Sequence, residues 1–188
     1  MKKTIIVSLV ALMFVGACSK KAENQISKED VAIASQVPST NGPPPRSDGG
    51  IGEFSAADVT RIKNAQVINK ATGQPMSPAD TSASPETVAD FNKSYQLSLM
   101  GQWSKLPEAC GWDKAPFADM KNKIYAGNKL DASYDDFWNK GVIEYLEKVQ
   151  NGYNYKTEGT LCSDSFRTNL IKKLDKIYKG ELGNMASD

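Results

Sequence analysis

The sequence predicts an all-α protein: a small bundle of about four helices, closed by one disulfide and carried on a disordered N-terminal tether. Three observations predict it. Apolar residues recur at steps of three and four through the C-terminal half, the period of an amphipathic helix. Two cysteines, Cys110 and Cys162, each stand at an expected helix end. Residues 19–54 are polar, with a run rich in proline and glycine, and carry too little apolar surface to build a core.

Residues 1–17 read as a signal peptide. Met1-Lys2-Lys3 supplies the charged start, Ile5 to Val15 the apolar run, and Gly16-Ala17 the small residues of a cleavage site. The apolar run falls short of the roughly 20 residues that a bilayer span needs. With Cys18 directly after it, Val15-Gly16-Ala17-Cys18 resembles the lipobox of bacterial lipoproteins; the resemblance covers residues 1–18 only. It implies that the Cys18 sulfur takes a diacylglycerol, that the chain is cut before Cys18, and that the new amine is acylated. Two or more acyl chains anchor a protein stably where one does not. The membrane would then be a partner through the acylated Cys18. By the same resemblance, Ser19 in place of an aspartate implies sorting to the outer membrane, at its periplasmic face.

Residues 18–54 read as a flexible tether, with Pro38 to Gly50 made almost wholly of turn formers. A flexible chain of that length has an end-to-end distance of roughly 30–35 Å. Residues 55–83 read as a weak helix followed by a loop. Ser55 and Asp58 have capping spacing, and Val59, Ile62 and Ala65 give partial helical periodicity, with a strand over Ala65 to Ile68 as the alternative.

The core domain is expected over residues 84–182. Ser84-Pro85-Glu86 starts its clearest helix with an N-cap, a first-turn proline and an acid. Val88, Phe91, Tyr95, Leu99, Trp103 and Leu106 then form one face, read as core, and Pro107 ends the helix. A short helix over 115–126 presents Phe117, Met120 and Ile124, with Gly127 as its stop. Ser133 and Asp136 cap a helix that reaches Gln150 with Phe137, Trp138, Val142, Tyr145 and Val149. The last helix carries Phe166, Leu170, Leu174 and Ile177 on one side and Lys172, Lys173 and Lys176 on the wet side. Residues 183–188 are expected to fray.

If Cys18 is lipidated, Cys110 and Cys162 remain in an oxidising compartment and are expected to pair, two buried thiols being the alternative. Closing a loop of that size stabilises by roughly 4 kcal/mol in the chain-entropy model. There is no histidine, which removes Ser-His-Asp and Cys-His catalysis and the commonest metal ligand. No catalytic residue, metal site or cofactor is read. Asp135-Asp136 read as helix-start electrostatics. The net charge of +1 becomes about −1 once Lys2 and Lys3 are removed, and no basic patch points to nucleic acid. Tyr153 and Tyr155, in a polar loop from Asn151 to Thr157, are the candidate partner-contact residues. The functional expectation is a non-catalytic binding or accessory subunit at the outer membrane, with a protein partner in the envelope. The alternatives are a structural envelope component or a lipoprotein of a secretion or conjugation apparatus, with a small cell-wall-acting enzyme ranked below them.

The Cys18→Ser chain should accumulate as uncleaved precursor or as soluble protein, and should lose incorporation of radiolabelled palmitate. Unchanged labelling would place the lipid elsewhere.

Overall fold

The structure, a computed structural model, describes residues 47–184, which belong to the second of two compact units, Thr40–Asp188. The expected signal peptide, Cys18 and the greater part of the expected tether lie outside the described residues. Among the described residues six α-helices occur: α1 Ala56–Lys63, α2 Pro85–Trp103, α3 Leu106–Cys110, α4 Met120–Asn128, α5 Asp135–Gln150 and α6 Asp164–Tyr178. Two single 3-10 turns, Ala115–Phe117 and Ala132–Tyr134, precede α4 and α5. The described residues contain no strand, only the isolated bridges Ile51–Phe54 and Ile68–Pro75. The fold is therefore all-α with one disulfide. Helices of eight residues or more number five rather than about four, and α3 adds a single turn.

Several helix starts follow from sequence chemistry. The Thr87 amide donates to the Ser84 hydroxyl at 3.2 Å, with Pro85 in the first turn of α2. The Asp58 amide donates to Ser55 Oγ and the Phe166 amide to Ser163 Oγ, each at 3.2 Å. Each bond satisfies a donor that the helix itself leaves open. The start of α5 differs from the Ser133–Asp136 expectation. Asp131 accepts from the Ser133 amide at 2.9 Å, and the chain makes a 3-10 turn before the α-helix begins. The expected helix over 115–126 is likewise divided, because Asp119 takes a left-handed backbone (φ 53°) between the 3-10 turn and α4. Pro107 does not end α2; it lies in the first turn of α3, where its missing amide costs nothing.

The main core is built by α2, α4, α5 and α6. Leu97, Met100, Phe117, Met120, Ile124, Trp138, Val142, Leu170, Leu174, Ile177 and Leu182 form one buried cluster. The buried side of α2 is Leu97 and Met100, with Ser94 and Gly101, rather than the Val88-Phe91-Tyr95-Leu99 face read from the sequence. Two glycines explain the rotation. A Cβ on Gly101 would stand 2.1 Å from the Trp138 carbonyl oxygen, and one on Gly141 would stand 1.7 Å from the Ser98 carbonyl oxygen. Here α2 and α5 touch backbone to backbone. Side-chain bulk on α2 must then lie to either side of that seam. Gly127 repeats the device between α4 and α6, its Cβ position being 2.2 Å from the Tyr178 carbonyl oxygen, so it is a contact residue inside α4 and not a helix stop.

Helix α1 is no loose appendage. Ile62 is fully buried and packs with Ile51 and Ile143 in a second cluster. Burying an isoleucine contributes about 1.5–3 kcal/mol, enough to hold a short helix that propensity alone would not. Arg61 bonds Asp136 of α5, and Lys63 pairs with Glu147 at 2.8 Å. The expected tether boundary at residue 54 therefore falls inside packed structure: Gly50 and Ile51 are buried, and the Ile51–Phe54 turn closes with two 3.0 Å backbone bonds. At the other end Leu182 is buried, held by its amide to Asn128 Oδ1 at 2.9 Å.

Gly→Ala at an ordinary exposed helix position stabilises by about 1 kcal/mol. At Gly141 and Gly101 the sign should reverse: each alanine should destabilise by about 3 kcal/mol or more, because backbone and not a yielding side chain is struck. Urea unfolding of each variant checks this, and a stabilised Gly141→Ala chain would refute the close approach.

Candidate functional site

Of the residues singled out from the sequence, Cys18 lies outside the described residues. Cys110 and Cys162 are bonded, their Cα atoms 5.3 Å apart, and tie the end of α3 to the turn before α6. The adjacent carboxylates do not converge on a common point. Asp135 pairs with Lys121 at 2.7 Å, and Asp136 with Arg61. Among the described residues no group of three or more His, Cys, Asp or Glu side chains could hold a metal, and no helix is long and apolar enough to cross a membrane.

Tyr153 and Tyr155 separate. Tyr155 is only 3% exposed and is not available to a partner. Its ring stacks on Tyr145 with centroids 5.0 Å apart, and its hydroxyl accepts from Gln102 Nε2 at 3.3 Å. Burial pushes its phenol above the ordinary value, the Gln102 bond pulling the other way. Tyr153 stands edge-on to the Tyr155 ring and donates to the Glu158 carbonyl at 2.8 Å. The loop is closed on itself by the Asn154 amide to Glu158 Oε1 (2.9 Å) and the Glu158 amide to the Asn154 carbonyl (2.8 Å). It is a braced connector whose inner tyrosine belongs to the core.

The sequence did not point to the feature that is open. A groove of about 390 Å³ lies on the outer side of the α2–α5 seam, walled by the loop that follows α1. Helix α2 contributes Phe91, Tyr95 and Leu99, and α5 contributes Phe137, Lys140 and Glu144. Val67, Pro75 and Met76 come from the loop. Three of the α2 residues expected in the core, Phe91, Tyr95 and Leu99, are thus its apolar wall. Tyr95 is 60% exposed, the most exposed large apolar side chain described.

Polar groups are few and placed. Ser94 and Ser98 line the groove from α2. Ser94 is 4% exposed, and its hydroxyl has no hydrogen-bond partner. Such a group costs about 1–3 kcal/mol when left unsatisfied. Lys140 Nζ donates to the Ala65 carbonyl at 3.3 Å, fastening the loop to α5. Glu144, one turn on, makes no ion pair in the described residues; nor do the two pair with each other. The loop wall is held by Asn69, which is fully buried. Its side-chain amide donates to Asp80 (2.7 Å) and Ser82 (3.0 Å), and its carbonyl accepts from the Ala71 amide (2.9 Å). The Met76 amide closes onto the Val67 carbonyl at 2.7 Å. The bonds from Ser82 and Asn69 hold the Asp80 carboxyl below its ordinary range. Ala65 to Ile68, for which a strand is the alternative to helix, lies beyond the end of α1 as one side of a braced turn.

No family model, no curated protein and no solved structure matches the chain.

Tyr155→Ser should cost about 3 kcal/mol or more, since it removes a buried ring and strands Gln102. Tyr153→Ser should cost less than half as much. Thermal and urea unfolding of the two single variants checks the order; equal losses would mean that the loop folds as one unit with the core.

Proposed function

We propose that this chain is a lipid-anchored protein of the bacterial envelope that acts by binding, without catalysis, and that its ligand seats in the groove between the 65–76 loop, α2 and α5. The anchoring part rests on the resemblance of Val15-Gly16-Ala17-Cys18 to a lipobox, and the outer-membrane assignment on Ser19. One observation carries the binding part. Phe91, Tyr95 and Leu99, at regular helical spacing, together line the groove, and Tyr95 is 60% exposed there. The walls are rigid on both sides. The glycine seam locks α2 to α5, and Asn69 with Lys140 locks the loop, so little entropy is lost when a ligand enters. The tyrosine loop at 151–158 is a poorer candidate, since its hydrogen bonds are already used internally.

A photo-crosslinking amino acid in place of Tyr95 should, on irradiation of intact cells, give covalent adducts seen as added mass on the recovered chain. The same substitution at Asn154 should give little. The reverse pattern would move the binding surface to the tyrosine loop, and recovery of the chain from the soluble periplasm would contradict the anchor.

A further inference from the structure

The polar groups of the groove suggest what it takes. Lys140 and Glu144 stand one helical turn apart on α5 and both line the groove, yet they form no ion pair with each other. Their order, lysine first, is the weaker of the two arrangements for a helical pair. The ammonium reaches instead for one neutral acceptor, the Ala65 carbonyl. The carboxylate has no cationic partner among the described residues. A site with one charge of each sign, both held against apolar walls, complements a ligand that carries both signs a few bonds apart. The rings of Phe91, Tyr95 and Phe137 line the same groove, and they suit a flat or branched apolar body and favour a cation at their faces. The buried Ser94 hydroxyl supplies a donor and an acceptor that nothing in the chain uses.

Resting on the reading of the groove as the binding site, we propose that its ligand is a free zwitterionic amino acid with a large apolar side chain. Its ammonium goes to Glu144, its carboxylate to Lys140, and its side chain lies among Phe91, Tyr95 and Phe137. The interior of a peptide lacks both charges and is a poorer fit.

The test is a heteronuclear NMR titration of the full chain carrying Cys18→Ser, at neutral pH, with four probes. L-Phenylalanine carries both charges, phenethylamine only the cation, 3-phenylpropionate only the anion, and N-acetyl-L-phenylalanine amide neither. L-Phenylalanine should shift the signals of Val67 and Leu99 and bind about tenfold more tightly than any of the other three, the scale of one charge-assisted hydrogen bond. Glu144→Gln should reduce L-phenylalanine to the level of the anion, and Lys140→Met to the level of the cation. Ser94→Ala should weaken binding without changing the order. If another probe matches L-phenylalanine while shifting the same signals, the zwitterion assignment is overturned and the groove stands. If no probe shifts those signals while the crosslinker at Tyr95 still gains mass, the assignment is overturned and the ligand is of another class. If both fail, the groove reading falls with it.

Discussion

The contact on which the remainder depends is the one between the backbones of α2 and α5 at Gly101 and Gly141. Two helices with ordinary side chains pack about 8–10 Å apart. Here each glycine lets a peptide group of the other helix into the space where a Cβ would stand. That proximity decides which residues of α2 can be buried. Leu97 and Met100 lie on the side that faces α4 and α6 and enter the main core. Phe91, Tyr95 and Leu99 line the groove, Leu99 also packing against the core and Tyr95 standing 60% exposed. The closest packing in the protein and its open groove are two consequences of the same crossing.

The rest of the molecule braces that pair. Helix α1 lies on α5 through Ile62 and Ile143, and ion pairs from Arg61 and Lys63 set its orientation more than they add to stability. On the far side, Gly127 seats α4 against the end of α6. Asn128 secures the same junction with its side-chain amide on the Ile177 carbonyl at 2.8 Å and its carbonyl oxygen on the Leu182 amide. The Cys110–Cys162 bridge joins the two ends of the path that runs from α3 to α6. A protein of this size with short helices gains from such a covalent link, since the loop it closes would otherwise be free in the unfolded chain.

A binding role agrees with how rigidity is distributed. The groove borders the tightest seam, and its third wall is a loop whose buried asparagine satisfies the turn from inside. Ser94, Glu144 and Tyr95 line the groove, whereas the tyrosine loop has spent its polar groups on itself.

By itself the sequence determined the all-α class, the pairing partners Cys110 and Cys162, and the serine caps at Ser55, Ser84 and Ser163. These are local matters: a period of 3.6, a hydroxyl within reach of an amide three residues on, two thiols in one oxidising compartment. The lipobox resemblance is local as well, and stands apart from the fold. Only the tertiary structure decided which face of α2 is core, because a continuous apolar stripe from Val88 to Leu106 is equally consistent with a buried face and with the wall of a groove. A glycine reads in sequence as a weak helix residue or a stop, and Gly101, Gly127 and Gly141 show their purpose only against a second backbone. The burial of Tyr155 and Ile51 was hidden for a related reason. Each sits in a polar, turn-rich stretch with no periodicity, and what covers them comes from other segments: Tyr145 and Gln102 for the one, Ile62 and Ile143 for the other. Periodicity reports the surface a segment offers, whereas burial depends on whether another segment arrives to cover it.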